Sequence, residues 1–91
     1  TDDATWRKAI DANLSSAFFM TRAAWPALVA RRGCVVNVSS VAVRDPLPGF
    51  GAYAAAKAGV NALTLMTHRE GREHGVRAYA IAPGSTETAM L

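Results

Sequence analysis

Tyr53 and Lys57 stand four residues apart in Tyr53-Ala54-Ala55-Ala56-Lys57, and Ser40 precedes the tyrosine by thirteen residues at the end of Val35-Val36-Asn37-Val38-Ser39. On a helix, positions i and i+4 are neighbours on one face, so an ammonium lies beside a phenol. A free tyrosine ionises near pH 10, and bringing that value to neutrality takes roughly 4 kcal/mol of preference for phenolate. A unit charge about 4 Å away, at an effective dielectric of about 20, supplies that amount, and the positive end of a helix dipole adds some tenths more. The pair is therefore suited to giving and taking a proton near neutral pH. Ser40 is placed to hydrogen-bond the same substrate oxygen. A Tyr and a Lys four apart also occur on helices that do no chemistry, so the surrounding elements decide.

Those elements follow a strand, loop, helix, strand order. Cys34 to Ser39 reads as a short buried strand, and Val41 to Gly51, with Pro46, Pro48, Gly49 and Gly51, reads as a loop. Ala52 to about Gly75 is alanine-rich and helical, with His68, Arg69, Arg72 and His74 near the C-terminal end where cations suit the dipole. Val76 to Ala82 is a second apolar strand, stopped by Pro83-Gly84. The spacing predicts a parallel βαβ unit with a right-handed crossover. Ser40, Pro83-Gly84 and the start of the helix then share the carboxyl edge of the strands, where open α/β sheets bind ligands.

Thr1 to Arg32 reads as one long helix or two abutting ones, with Asp2 and Asp3 at its start, Arg31 and Arg32 at its end and Gly33 in the left-handed capping position. Trp6, Ile10, Leu14, Ala17, Phe18, Thr21, Trp25 and Leu28 recur at steps of three and four, an amphipathic stripe in which both tryptophans are expected to pack in the core. Asn13 borders the stripe. Pro26 removes one backbone hydrogen bond and is expected to kink the helix.

At this point the chain resembles the second half of a short-chain dehydrogenase/reductase. The match runs through Asn13 in Asn13-Leu14-Ser15-Ser16-Ala17-Phe18, Gly33 to Ser40, Tyr53 to Lys57, and Ala82-Pro83-Gly84 followed by Thr88. The resemblance implies an α/β class, a partial Rossmann fold made of a long helix and a parallel βαβ unit. It implies that residues 1–91 form a single partial domain, the catalytic half, without the phosphate-binding half. No Thr-Gly-rich loop and no ribose-selecting residue stand in this segment, so the cofactor is NAD or NADP without a choice between them. Tyr53 would be the general acid in carbonyl reduction and the base in alcohol oxidation. Ser40 would orient the substrate oxygen, Lys57 would tune the tyrosine and bind the nicotinamide ribose, and Asn13 would hold a water linking Lys57 to solvent. Pro83, Gly84, Thr86 and Thr88 would line the nicotinamide. Three departures stand out: Tyr79 where the family usually has asparagine, Thr86 for a usual valine or isoleucine, and Thr67-His68 for a usual Leu-Ala.

Composition fits one globular α/β unit. Ten basic and seven acidic residues leave a net charge of +3, 51% of the 91 residues are hydrophobic, and the single Cys34 excludes an internal disulfide. A cysteine-poor chain suits a reducing, cytoplasmic compartment. No apolar run approaches the roughly 20 residues of a membrane span, and no metal-ligand cluster stands out. A serine hydrolase built on Ser40 with His68 or His74 fails for want of a G-x-S-x-G elbow; His68 also lies fifteen residues from Tyr53, about 22 Å along a helix. Both histidines read as solvated or capping groups. Nucleic-acid binding finds no stacking platform, since Arg31, Arg32, Arg69 and Arg72 sit at helix ends that favour cations anyway. The alternative within the family is an inactive member acting only as a binding or dimerisation module. Val43, Leu47 and Phe50 make the loop partly apolar, which points to a hydrophobic ketone or alcohol as the small-molecule substrate. The long-helix stripe and the face of Ala58, Ala62, Leu65 and Met66 point to a homodimer or homotetramer in a longer parent, and the 91-residue chain alone is expected to be inactive and poorly folded.

Overall fold

The computed structural model describes residues 2–39, 51–82 and 88–89. Its N-terminal arm is helical from Asp3 to Arg31. Helix α1, Asp3–Ile10, is capped by the Asp2 carboxylate, which accepts from the Thr5 N–H at 2.7 Å. A π-helical turn at Asp11–Ser15 follows, in which the Ser16 N–H reaches back to the Asp11 carbonyl. Helix α2, Ser16–Arg31, continues through Pro26. The departure from α-helical geometry that the structure shows thus falls at the π turn, where no proline stands.

Helix α2 ends with Arg32 in the left-handed region, φ 50 and ψ 49. The Gly33 N–H donates to the Leu28 carbonyl at 2.8 Å and the Arg32 N–H to Val29 at 3.4 Å, the paired bonds of a Schellman motif. The left-handed residue is therefore Arg32 and not Gly33. A Cβ on Gly33 would lie 2.9 Å from Leu28 Cδ2, so that side-chain end would have to turn aside.

Strand β1, Cys34–Val38, pairs in parallel with β2, Arg77–Ile81, in the register Cys34 to Arg77 through Val38 to Ile81. Helix α3, Gly51–Gly71, runs between them and tightens into a 3-10 turn, Arg72–His74. Gly75, at φ 74, closes it and lets the Val76 N–H reach the Gly71 carbonyl at 2.9 Å. The expected α/β order is present. A short strand absent from the sequence reading, β3 at Thr88–Ala89, pairs antiparallel with Ala80 and Ile81 of β2.

The core lies between α3 and one face of the sheet. Ala52, Ala56, Val60 and Thr64 recur every fourth residue and are buried, as are Ala78 and Ala80 of β2. Small side chains on both surfaces let helix and sheet approach closely. Val36 and Val38 on the opposite face remain 53% and 56% exposed. This agrees with the expectation that parallel strands of this composition need cover on both faces, since the described helices cover one. The stripe on α1 and α2 fares differently from expectation. Neither helix has a buried residue, and Trp6 is 46% exposed rather than packed in a core. The arm packs on α3 and, through α2, on β1, and these contacts still leave part of the stripe exposed. No helix among the described residues is long and apolar enough to cross a membrane.

Candidate active site

Tyr53 and Lys57 occupy the opening turns of α3 at the carboxyl edge of β1. Their i, i+4 spacing places Lys57 Nζ 5.7 Å from the centroid of the Tyr53 ring. The ammonium donates to the Val38 carbonyl at 2.9 Å, so the last residue of β1 anchors the lysine next to the phenol. Both residues are half-buried.

Ser40 lies outside the described residues, as do Pro83, Gly84 and Thr86, and for Thr88 only the β3 backbone is described. Its neighbour Ser39 is described. The Ser39 N–H donates to Ile81 at 2.7 Å, and the residue is only 5% exposed with no hydrogen-bond partner for its Oγ. A hydroxyl buried in this way at the strand end is poorly placed to meet a substrate.

Asn13 sits in the π turn, a feature that recurs at functional sites. Its side-chain amide donates to the Ala9 carbonyl at 2.9 Å. The turn packs on α3 just beyond Lys57, where Leu14 lies so close to Gly59 that a Cβ there would fall 2.7 Å from Leu14 Cδ2. The turn that carries Asn13 therefore packs on α3, with the Asn13 side chain bonded within its own helix.

Two residues that sequence reasoning passed over tie β1 to α3. Asn37 Nδ2 donates to Thr64 Oγ1 at 2.8 Å, and Thr64 Oγ1 donates to the Val60 carbonyl at 2.7 Å. An amide inside a β-branched run, and a threonine seven residues after the lysine on the buried stripe, were the signals available. His68 corrects an expectation. It is half-buried rather than solvated or capping, its Nδ1 accepts the Ala78 N–H at 3.0 Å, and its ring meets Tyr79 edge-on at 6.1 Å. The departures at positions 68 and 79 therefore meet each other across the contact between α3 and β2. Exposed His74 lies 3.5 Å from a Glu73 carboxylate and edge-on to Trp25. Among the described residues no group of three or more His, Cys, Asp and Glu could hold a metal ion.

A family profile described as short chain dehydrogenase matches residues 1–91. The acetoacetyl-CoA reductase of Allochromatium vinosum is 39% identical over 90 residues, covering 98% of this chain and 37% of that protein. The (3R)-3-hydroxyacyl-CoA dehydrogenase of Homo sapiens is 41% identical over 87 residues, covering 93% of this chain and 33% of that protein. The chain thus spans about a third of the length of these relatives. Among solved structures, 3-hydroxyacyl-CoA dehydrogenase type-2 from Mycobacterium avium superposes with a TM-score of 0.87 at 34% identity, over 97% of this chain and 38% of that one. A metagenomic short-chain oxidoreductase in complex with NADP gives 0.83 at 37% identity, over 94% and 39%.

Proposed function

This chain belongs to the short chain dehydrogenase family, and from that premise we propose that it is the catalytic part of a larger nucleotide-binding domain that interconverts a carbonyl and a secondary alcohol. The observation that carries the reading is the Lys57 ammonium, held by the Val38 carbonyl beside the Tyr53 ring. In the reducing direction the Tyr53 hydroxyl gives its proton to the carbonyl oxygen; in the oxidising direction its oxygen takes the alcohol proton. Ser40 donates a hydrogen bond to the same oxygen and fixes its orientation.

The donor set suits a nicotinamide cofactor, NAD or NADP. Lys57 has three N–H groups and Val38 takes one, so two remain for the hydroxyls of a ribose. Pro83, Gly84, Thr86 and Thr88 line the nicotinamide beyond β2. The cofactor supplies or takes the hydride; the protein orients the reactants and manages the proton. Asn13, in the π turn packed against α3 through Leu14, holds the water that reconnects Lys57 to solvent after each proton transfer. The substrate is a ketone or secondary alcohol with an apolar body, in keeping with the acyl-CoA relatives and with Val43, Leu47 and Phe50 of the intervening loop.

The parent assembles as a homodimer or homotetramer through the outward faces of α2 and α3. Phe18 and Met66 are exposed there, at a hollow of about 430 Å³ that they line together with Trp25 and Leu63. A self-complementary apolar face of this kind suits a twofold axis.

Tyr53→Phe in the full-length protein is expected to lower turnover by about 10² to 10⁴ while leaving cofactor affinity largely intact, because only proton transfer is removed. Turnover close to that of the unaltered enzyme on an authentic substrate would overturn the assignment.

A further inference from the structure

We infer that Asn37 and Thr64 are positioning residues for the Tyr53–Lys57 pair, an inference that rests on the catalytic reading above. Strand β1 is attached to α3 at two adjacent strand positions. The Asn37 side chain holds Thr64 at 2.8 Å, and the Val38 carbonyl holds Lys57 Nζ at 2.9 Å. On α3 the two attachment points are seven residues apart, two turns along one face of the helix. One point of attachment fixes a distance and leaves the helix free to rotate about it. Two points along the axis remove that rotation, and with it the freedom of Lys57 to move relative to the phenol.

The chemistry of the contact supports a specific role. Among the described residues, Asn37 to Thr64 is the one hydrogen bond joining a β1 side chain to an α3 side chain. Thr64 is 0% exposed, and its hydroxyl both accepts from Asn37 and donates to Val60, so the hydroxyl hydrogen is committed and the lone pair is turned to the strand. Beyond the His68 Nδ1 that accepts from the Ala78 N–H of β2, the rest of the helix–sheet contact is largely apolar, and apolar surfaces resist separation but not sliding. Directional hydrogen bonds are what fix register on an otherwise smooth surface. Among the described residues, Lys57 is the charged group set against Tyr53, so a slip of α3 on β1 changes the field at the phenol.

The test uses the full-length enzyme in the alcohol-oxidising direction, following turnover against pH for Thr64→Val, Thr64→Ser and Asn37→Ala. Thr64→Val keeps the shape of the side chain and removes the hydroxyl. It is expected to lower kcat about 10-fold with the KM for the alcohol little changed, because small misplacements of a reacting group are costly. It is also expected to move the pH midpoint of turnover upward, because an ammonium that retreats favours the phenolate less. Thr64→Ser, which keeps the hydroxyl, restores both. Asn37→Ala, at a half-buried position that loses less packing, reports the same two changes from the other end of the bond. A lowered melting temperature with kcat and pH midpoint unmoved would reduce the pair to plain structural glue and overturn the inference. Tyr53→Phe, measured in parallel, separates the two failures: if it keeps full turnover the catalytic reading falls first and this inference falls with it.

Discussion

Helix α3 and the α1–α2 arm are both long and rich in alanine, yet they relate to the rest of the molecule in opposite ways. Helix α3 lays Ala52, Ala56, Val60 and Thr64 flat on the sheet, all buried, whereas the arm buries no residue and leaves Phe18 44% exposed. Side-chain size is the physical difference. A helix whose contact stripe is alanine, valine and glycine comes close enough to a strand surface for hydrogen bonds to cross, as from Asn37 to Thr64. The arm's stripe carries larger side chains, and of these Trp6 and Phe18 stay exposed. The catalytic candidates follow the same division. Tyr53 and Lys57, which need exact placement, are on the closely packed helix; Asn13, proposed to act through a water, is on the looser arm.

The largest effect expected from this contrast is at Val60, 2% exposed in the helix–sheet interface. Val60→Ala is expected to destabilise the intact enzyme by about 2 kcal/mol, the lost transfer energy of two methyl groups plus the cavity they leave. Chemical denaturation with an unchanged slope measures it. A loss below about 0.5 kcal/mol, the range usual for surface sites, would mean the interface is no better packed than the arm.

Two glycines on α3 sharpen the comparison further. A Cβ on Gly71 would lie 2.7 Å from Val76 Cβ and 2.9 Å from the Val76 carbonyl oxygen, which cannot move without shifting the start of β2. Gly71→Ala gains roughly 1 kcal/mol of helix propensity and loses about 1–3 to overpacking, a net destabilisation of about 1 kcal/mol. At Gly59 the obstacle is the end of the Leu14 side chain, which can turn aside at a cost near 1 kcal/mol. The gain and the cost at Gly59→Ala then cancel, and thermal unfolding is expected to show no change. Turnover is expected to fall instead, because Leu14 is the neighbour of Asn13. Equal destabilisation at both glycines would show the arm to be held as tightly as the sheet.

Double substitution of Phe18→Glu with Met66→Glu tests the outward face. Both positions are exposed within one chain, so the fold is expected to lose less than about 0.5 kcal/mol. Carboxylates facing each other across a twofold axis repel and are desolvated, so light scattering is expected to show a shift toward monomer. An unchanged mass would place the subunit contact elsewhere.

How far the fold could be foreseen follows the same line between buried and loose. The strands and α3 were legible because their signals are local: apolar runs, a Pro-Gly stop, and an alanine-rich stretch with cations toward its C-terminal end. The four-residue spacing of Tyr53 and Lys57 was enough to bring them together. The π turn at Asp11–Ser15 was not legible, since nothing in Asp-Ala-Asn-Leu-Ser breaks a helix; the extra residue accompanies the packing of Leu14 on Gly59, a long-range contact. That Arg32 rather than Gly33 takes the left-handed place was not legible, because the residue type alone favours glycine there. The overestimate of burial along the arm has one cause: periodicity shows that a stripe exists, and it does not show whether anything is there to cover it. His68 was misread because its partner, the Ala78 N–H, is a backbone group that no side-chain pattern reveals.

The smallest effect is expected at the far end of the arm, where the contrast predicts local consequences only. Asp2 caps α1, and the Thr5 backbone N–H, aided by the Thr5 hydroxyl, holds its carboxyl below its ordinary value of 3.8. A carboxyl depressed in the folded state adds stability that is fully present above the unfolded value and is lost as pH falls through the folded one. The contribution therefore disappears below about pH 4 and is constant near neutrality. Asp2→Asn keeps a capping oxygen without a charge, so stability at pH 7 is expected to change little while the acid-dependent part of the fraying disappears. Because Asp2 is fully exposed and no residue of α1 is buried, hydrogen exchange at Thr5 and Trp6 should register the change while α3 amides do not. Loss of protection in α3 at acid pH in the unaltered protein, abolished by Asp2→Asn, would show instead that the arm and the sheet unfold as one unit, and the division between the two regions would have to be given up.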